Sequence, residues 1–245
     1  MKVRRLRLFL SSGLLMTTML SFAWSAHACS SNCSTTTCPT TITCCCAITS
    51  AGTSYALGAD LNPGGGYSGI SIPAGLGAVV INLNGFSILG SGSGNGISGS
   101  TATYVTVENG LISGMGGNGI TLGTHATVKD VGSDYNTGTG IALSDYSSVE
   151  YSEAGYNGVG ISCGLGCSTI LRNVVDNNTT GISTGASDIV MENEVAYNAT
   201  STAFSSSTVW GLNVFDNNSA PACTIVGMGG SSQANNVCDG SYGPP

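Results

Sequence analysis

Apolar residues along this chain come in runs of only three to five positions, each broken by glycine or a small polar residue. Ala126-Thr127-Val128, Ser147-Ser148-Val149, Ser168-Thr169-Ile170 and Asp188-Ile189-Val190 open successive units with the same step from small polar to β-branched. Alternation at period two turns one side of such a run inward and the other outward, as in a strand. A second mark follows in each unit. Gly-Ile pairs begin at Gly96, Gly119, Gly140, Gly160 and Gly181, in steps of 23, 21, 20 and 21 residues. Asparagines keep the same step at Asn136, Asn157, Asn178, Asn198 and Asn218. A repeat of this length cannot bury its apolar side alone and has to stack on its neighbours.

No helical periodicity separates the runs, so successive strands must join through short turns and lie parallel. The pattern predicts an all-β chain, a right-handed parallel β-helix of about 20–23 residues per coil and roughly seven to eight coils. Val107, Val128, Val149 and Ile170 form one expected inward row. Ile97, Ile120, Ile141, Ile161 and Ile182 form another. The 37 glycines read as corner residues, where a positive φ is cheap without a Cβ. The asparagines read as a ladder, each amide bonding the coil above and the backbone of its own turn. Trp210 and Phe215 read as large core residues of the last coils, and His125 as a packed or surface residue rather than a ligand.

The N-terminus reads as an export signal. Lys2, Arg4, Arg5 and Arg7 precede an apolar stretch from Leu8 to Trp24, and Ala26-His27-Ala28 supplies a small-x-small cleavage pattern. The stretch is interrupted by Ser11, Ser12, Thr17 and Thr18 and falls short of the roughly 20 residues a bilayer span needs. The expected organisation is therefore signal 1–28, a Cys/Thr-rich cap or tail 29–50, the solenoid 51–240 with a disulfide-stapled last coil, and a tail 241–245. The expected location is secreted, periplasmic or extracellular, with no membrane span after cleavage. Lipid attachment at Cys29 is the other reading.

Setting the signal aside leaves Lys129 and Arg172 against 13 acidic residues, a net charge of −11. Two cations cannot neutralise a phosphate backbone, which excludes nucleic acid, and anionic membrane surfaces are excluded in the same way. A polyanionic polysaccharide would need a bridging cation such as Ca²⁺. Ten cysteines in an exported chain point to disulfides. Cys163–Cys167 and Cys223–Cys238 are expected pairs. Cys29, Cys33, Cys38, Cys44, Cys45 and Cys46 are expected to pair among themselves, with connectivity open. A zinc cluster is the alternative there, although no histidine lies near.

The runs Val80-Ile81-Asn82-Leu83-Asn84-Gly85-Phe86-Ser87-Ile88 and Val105-Thr106-Val107-Glu108-Asn109-Gly110-Leu111-Ile112-Ser113-Gly114 add a more specific signal. With the recurring Asn and Gly-Ile units, they resemble the right-handed parallel β-helix repeat proteins of bacteria. That group includes pectate lyases, uronan epimerases and a periplasmic copper-insertion family. The resemblance covers about residues 53–240 and implies the fold. The enzymes' active-site patterns do not carry over: neither an Asp-Pro-His-Glu run nor paired aspartates with a downstream Arg-Ile-Lys is present, and no arginine-bearing strand accompanies a cluster of calcium aspartates.

Elimination or epimerisation at a uronic acid needs a base and a cation that neutralises the carboxylate. Aligning the β-branched runs puts Lys129-Asp130, Glu150-Tyr151, Leu171-Arg172 and Met191-Glu192 at corresponding places on successive coils. Lys129, Glu150, Tyr151, Arg172 and Glu192 are thus the candidate catalytic residues. The competing reading is that the two cations merely offset neighbouring acids. Asp134, Asp176 and Asp216 also align, with Gly155 and Ala196 between them. They are candidates for Ca²⁺, for an inverting carboxylate pair, or for a solvated row. No cofactor beyond Ca²⁺ is expected. The coils are close to minimal length and leave no insertion to wall a groove. The expected function is therefore a secreted, non-catalytic structural or glycan-contacting protein whose partner is a polysaccharide or cell-surface component. The alternative is a small uronan lyase or C5-epimerase working around Lys129 and Arg172.

Overall fold

The computed structural model describes residues 37–166, 168–203, 207–219, 231–232, 236–238 and 241–242. They form an all-β solenoid of about 8 turns with no helix. Among the described residues no helix is long and apolar enough to cross a membrane. One coil shows the plan. Thr127–Asp134 runs along two faces, bending at Asp130, and Thr139–Leu143 forms the third. Stacking the coils gives two sheets, one of 17 strands that wraps the first and second faces and one of 8 strands on the third. All pairings between coils are parallel; Val237–Cys238 and Ser241–Tyr242 pair antiparallel at the C-terminal end.

The register is the one the apolar pattern demands. Val107, Val128, Val149 and Ile170 pair in sequence down the first face, and Ile97, Ile120, Ile141, Ile161 and Ile182 down the third. All nine are fully buried. Each such side chain contributes about 1.5–3 kcal/mol relative to exposure. Trp210 stacks on Val190 and Phe215 on Val195, and the two rings meet edge-on at 6.1 Å, filling the last coils. At the other end Thr41–Ile42 pairs with Ser54–Leu57, and Cys46–Ala47 with Ile70–Ser71, so this segment extends both sheets. A Cys38–Cys46 disulfide ties it.

The corners differ from expectation. Eighteen non-glycine residues and only six glycines have positive φ among the described residues, so glycine is not what turns the coil. Such a backbone costs a non-glycine residue about 1–2 kcal/mol, and it persists where the surroundings over-determine it. At twelve of the eighteen, from Tyr135 on, a buried polar side chain follows the corner and fixes it; the six earlier ones are followed by Val, Gly or Ala. Tyr156, Asn177 and Tyr197 are followed by Asn157, Asn178 and Asn198. Asn157 donates its backbone N–H and its Nδ2 to Asn178 Oδ1 at 2.8 and 3.1 Å, and Nδ2 also to Ser133 O at 2.8 Å. The same bonding repeats from Asn136 to Asn218.

A second ladder, which the sequence reading missed, follows the bend between the first and second faces. Ser152 leads to Asn173, Asn193, Asn213 and Asn236 in the same manner. Its signal lay in Asn173-Val174-Val175, Asn193-Glu194-Val195 and Asn213-Val214-Phe215, which are 20 residues apart. Four glycines of the Gly-Ile pairs, Gly119, Gly140, Gly160 and Gly181, serve the first ladder by lacking a side chain. A Cβ on Gly160 would lie 2.5 Å from Val175 Cγ1 and 2.8 Å from Asn178 Nδ2.

Candidate functional site

The predicted alignment of the charged patch holds. Lys129 pairs with Glu150, Glu150 with Leu171, and Leu171 with Met191. The residue after each, respectively Asp130, Tyr151, Arg172 and Glu192, turns the corner with positive φ. Arg172 Nε donates to Glu192 Oε2 at 2.6 Å, and Arg172 Nη1 donates to the Tyr151 hydroxyl at 2.5 Å. Lys129 Nζ lies 5.9 Å from the Tyr151 ring centre and the Arg172 guanidinium carbon 5.6 Å, so the ring sits between two cations. Lys129 Nζ also lies 4.0 Å from Asp130 Oδ2.

The hydrogen bond to Glu192, and then the one to Tyr151, raise the Arg172 pKa above its ordinary value. Chemically this is a cation held by a carboxylate and a phenol on a solvent-exposed corner. The Tyr151 hydroxyl and the Glu192 carboxylate both stand beside the Arg172 cation, where either oxygen could serve as a base. Water reaches the groups, since Arg172 and Glu192 keep 47% and 38% of their side-chain surface exposed.

The three aspartates align as predicted, through Gly155–Asp176, Asp176–Ala196 and Ala196–Asp216. Asp134 and Asp176 approach each other over Gly155, more closely than a two-coil separation implies. Burial, partly offset by the Gly155 N–H and reinforced by Glu153 and Asp176, pushes Asp134 up to about 6. Among the described residues no three His, Cys, Asp or Glu side chains group in a way that holds a metal ion.

Of the cysteines, Cys38 and Cys46 are bonded to one another, and Cys44 and Cys45 lie between them, half-buried and buried. Cys29, Cys33, Cys167 and Cys223, and the side chain of Cys238, lie outside the described residues, and with them the expected Cys163–Cys167 and Cys223–Cys238 bonds. Cys163 is buried; burial first, then the charge of Asp188, pushes its thiol up to about 12. Asp188 itself is raised above the usual carboxylate value by burial.

The third face is different in kind. None of its eight strands carries a charged residue. One outward row reads Ala47, Ser71, Ser98, Thr121, Ala142, Ser162, Ser183 and Ala203. A second reads Thr139, Val159, Thr180 and Thr200. By contrast Glu108, Asp134, Glu150, Glu153, Asp176, Glu194 and Asp216 all stand on the other sheet.

Stacked aromatic rings mark the corners beside this face. Tyr135 and Tyr156 lie parallel at 4.6 Å, and His125 is sandwiched between Tyr104 at 4.5 Å and Tyr146 at 5.2 Å. The sequence reading did not find these stacks, although Tyr135 and Tyr156 open two of its repeats. Trp210, read from the sequence as a core residue, is buried.

No protein-family profile, curated protein or solved structure matches the chain.

Proposed function

We propose that this protein is a secreted, non-catalytic β-helix protein, similar in architecture to the bacterial repeat proteins its motifs resemble, that contacts neutral glycan at a cell surface or in the surrounding matrix. The observation that carries this reading is the partition of charge between the sheets. A chain with this excess of acid keeps one whole sheet free of charge and covers it with hydroxyls and methyls at the coil spacing of about 4.8 Å. A flat, uncharged, hydroxyl-bearing surface suits a neutral polymer and offers nothing to a polyanion. The ionic corner around Arg172 satisfies its own charges and acts as a surface brace.

The test is co-sedimentation of the purified protein with insoluble neutral polysaccharides (cellulose, β-1,3-glucan, mannan, chitin) beside alginate and pectate. Retention on a neutral polymer that Thr180→Asp abolishes supports the reading. Retention on the acidic polymers alone overturns it. The second reading, a uronan lyase or epimerase, draws on the Tyr151 hydroxyl beside Arg172 and is tested by turnover as set out in the Discussion.

A further inference from the structure

The tyrosines are not spread evenly over the corners. Six of them occupy positive-φ corner positions, and five border the third face. Tyr135 lies four residues before Thr139, where the third-face strand Thr139–Leu143 begins, and Tyr146 follows it. Tyr156 precedes Val159–Cys163, and Tyr104 follows Ile97–Gly99. All four rings are more than half exposed. The same corner rows hold Ala78, Asn177, Ser187 and Asn217 on other coils, so the turn itself does not call for an aromatic ring. The corner remote from the third face carries instead Asn109, Asp130, Arg172, Glu192 and Leu212, with Tyr151 clasped by cations.

We infer that the two tyrosine rows are the side rails of a binding trough, with the third face as its floor, that holds a neutral polysaccharide chain lying along the solenoid axis. This rests on the third face being the contact surface and adds which residues grip the ligand, and how. The stacked rings use their inner faces on each other, so the ligand meets ring edges and phenolic hydroxyls. Stacking also holds the rings in place before binding, which lowers the ordering cost of contact by an amphipathic side chain. Along the axis the phenols stand one coil apart at Tyr135 and Tyr156 and two coils apart at Tyr104 and Tyr146, with His125 between, and Ser or Thr fills most places of the floor rows. Hydroxyls set at multiples of the coil spacing suit a polymer of repeating hydroxylated units. The floor carries no charge and a neutral ligand has none for salt to screen, so the grip should be insensitive to salt.

The experiment uses the full exported chain and the neutral polysaccharides named above, with affinity measured at two salt concentrations. The rail variant is Tyr104→Asn, Tyr135→Asn, Tyr146→Asn and Tyr156→Asn combined. Asparagine already occupies this backbone at Asn177 and Asn217 and tolerates it well, and circular dichroism checks the fold. The inference expects wild type to bind equally at both salts, the rail variant to lose about tenfold or more, and Leu212→Asn, on the remote corner, to lose nothing. A folded rail variant that binds as wild type, while Thr180→Asp does not, sinks the rails and leaves the third face standing. Wild type and Thr180→Asp binding alike, or wild type binding none of the neutral polymers, sinks both.

Discussion

Asp134 and Asp176, on coils either side of Gly155, lean toward one another across the gap that glycine leaves. Their Oδ1 atoms lie 3.4 and 2.9 Å from the point a Cβ of residue 155 would occupy. Asp134 Oδ1 accepts the Gly155 N–H at 2.9 Å, and Asp176 Oδ2 accepts from Asn177 Nδ2 at 2.6 Å. Asp176 Oδ1 is buried and accepts no hydrogen bond among the described residues. Two like charges are thus held close, in part because the intervening residue has no side chain.

This arrangement makes stability depend on pH in a defined direction. Burial is the main cause that raises Asp134 from 3.8 to about 6, so the folded protein keeps a proton that the unfolded chain releases. Stability is then fully present below about pH 4 and is lost as pH rises through about 6. Asp134→Asn should be more stable than wild type at pH 7 by about 1–2 kcal/mol, a figure reduced for the solvent that still reaches the group. At pH 4 the two should coincide. Urea unfolding at both pH values checks this, and an equal gap at the two would contradict it.

The asparagine ladder should be intolerant of truncation. Asn178→Ala removes the acceptor for Asn157 N–H and Nδ2 and the donor to Ala154 O, all in the interior. Leaving these groups unpaired costs about 2–4 kcal/mol. Asn177→Gly, one residue away at a corner with φ +56°, loses the bond to Asp176 Oδ2 but relieves the strained backbone, and should cost clearly less than Asn178→Ala. Denaturation midpoints of the two variants compare ladder with corner directly.

The inward rows were legible because a period of two leaves each run one way to face the core. Once Val128 and Val149 are stacked, Lys129 meets Glu150 and Tyr151 meets Arg172 without further assumption. The ladder from Asn136 to Asn218 was legible because its Gly-Ile companion repeats with it. The ladder through Asn173, Asn193 and Asn213 was obscured by the variable residues before it, Arg172, Glu192 and Leu212. The corners were misread because propensity puts glycine at positive φ. From Tyr135 on the conformation accompanies the buried polar residue that follows each corner, and many glycines, Gly160 among them, stand instead where a Cβ would strike a neighbour. The close approach of Asp134 and Asp176 depends on the missing Cβ of Gly155, which alignment alone does not convey. The neutrality of the third face was present in the residues but emerges only when strands are assigned to faces.

Glycine's packing role gives a separate prediction. A Cβ at residue 160 would stand 2.5 Å from Val175 Cγ1, 2.7 Å from Gly181 O and 2.8 Å from Asn178 Nδ2. Gly160→Ala should destabilise by about 1–3 kcal/mol through overpacking. Gly64→Ala, with nothing within 4 Å, should stay within about 0.5 kcal/mol of wild type, as surface changes do. A thermal melt showing similar losses for both would place the cost in backbone entropy instead of contact.

The last prediction concerns the ionic corner. If Arg172 braces Glu192 and Tyr151 on an exposed edge, Arg172→Ala and Tyr151→Phe should leave unfolding curves and neutral-glycan binding unchanged, because exposed pairs contribute little. If instead the corner is catalytic, Arg172 supplies the positive charge that meets a uronate carboxylate and Tyr151 takes the C5 proton. Either substitution would then remove most turnover without altering the fold, since both groups act on charge that develops in the transition state. Purified protein would be incubated with alginate, pectate and hyaluronan, with and without Ca²⁺, following unsaturated products by ultraviolet absorbance and C5 inversion by NMR. The non-catalytic reading expects no product on any of them. Product formed by wild type and lost in both folded variants would replace it with a uronan lyase or epimerase. Because the Tyr151 ring remains between Lys129 and the guanidinium in Tyr151→Phe, loss of activity in that variant would point to the hydroxyl itself and not to the packing of the corner.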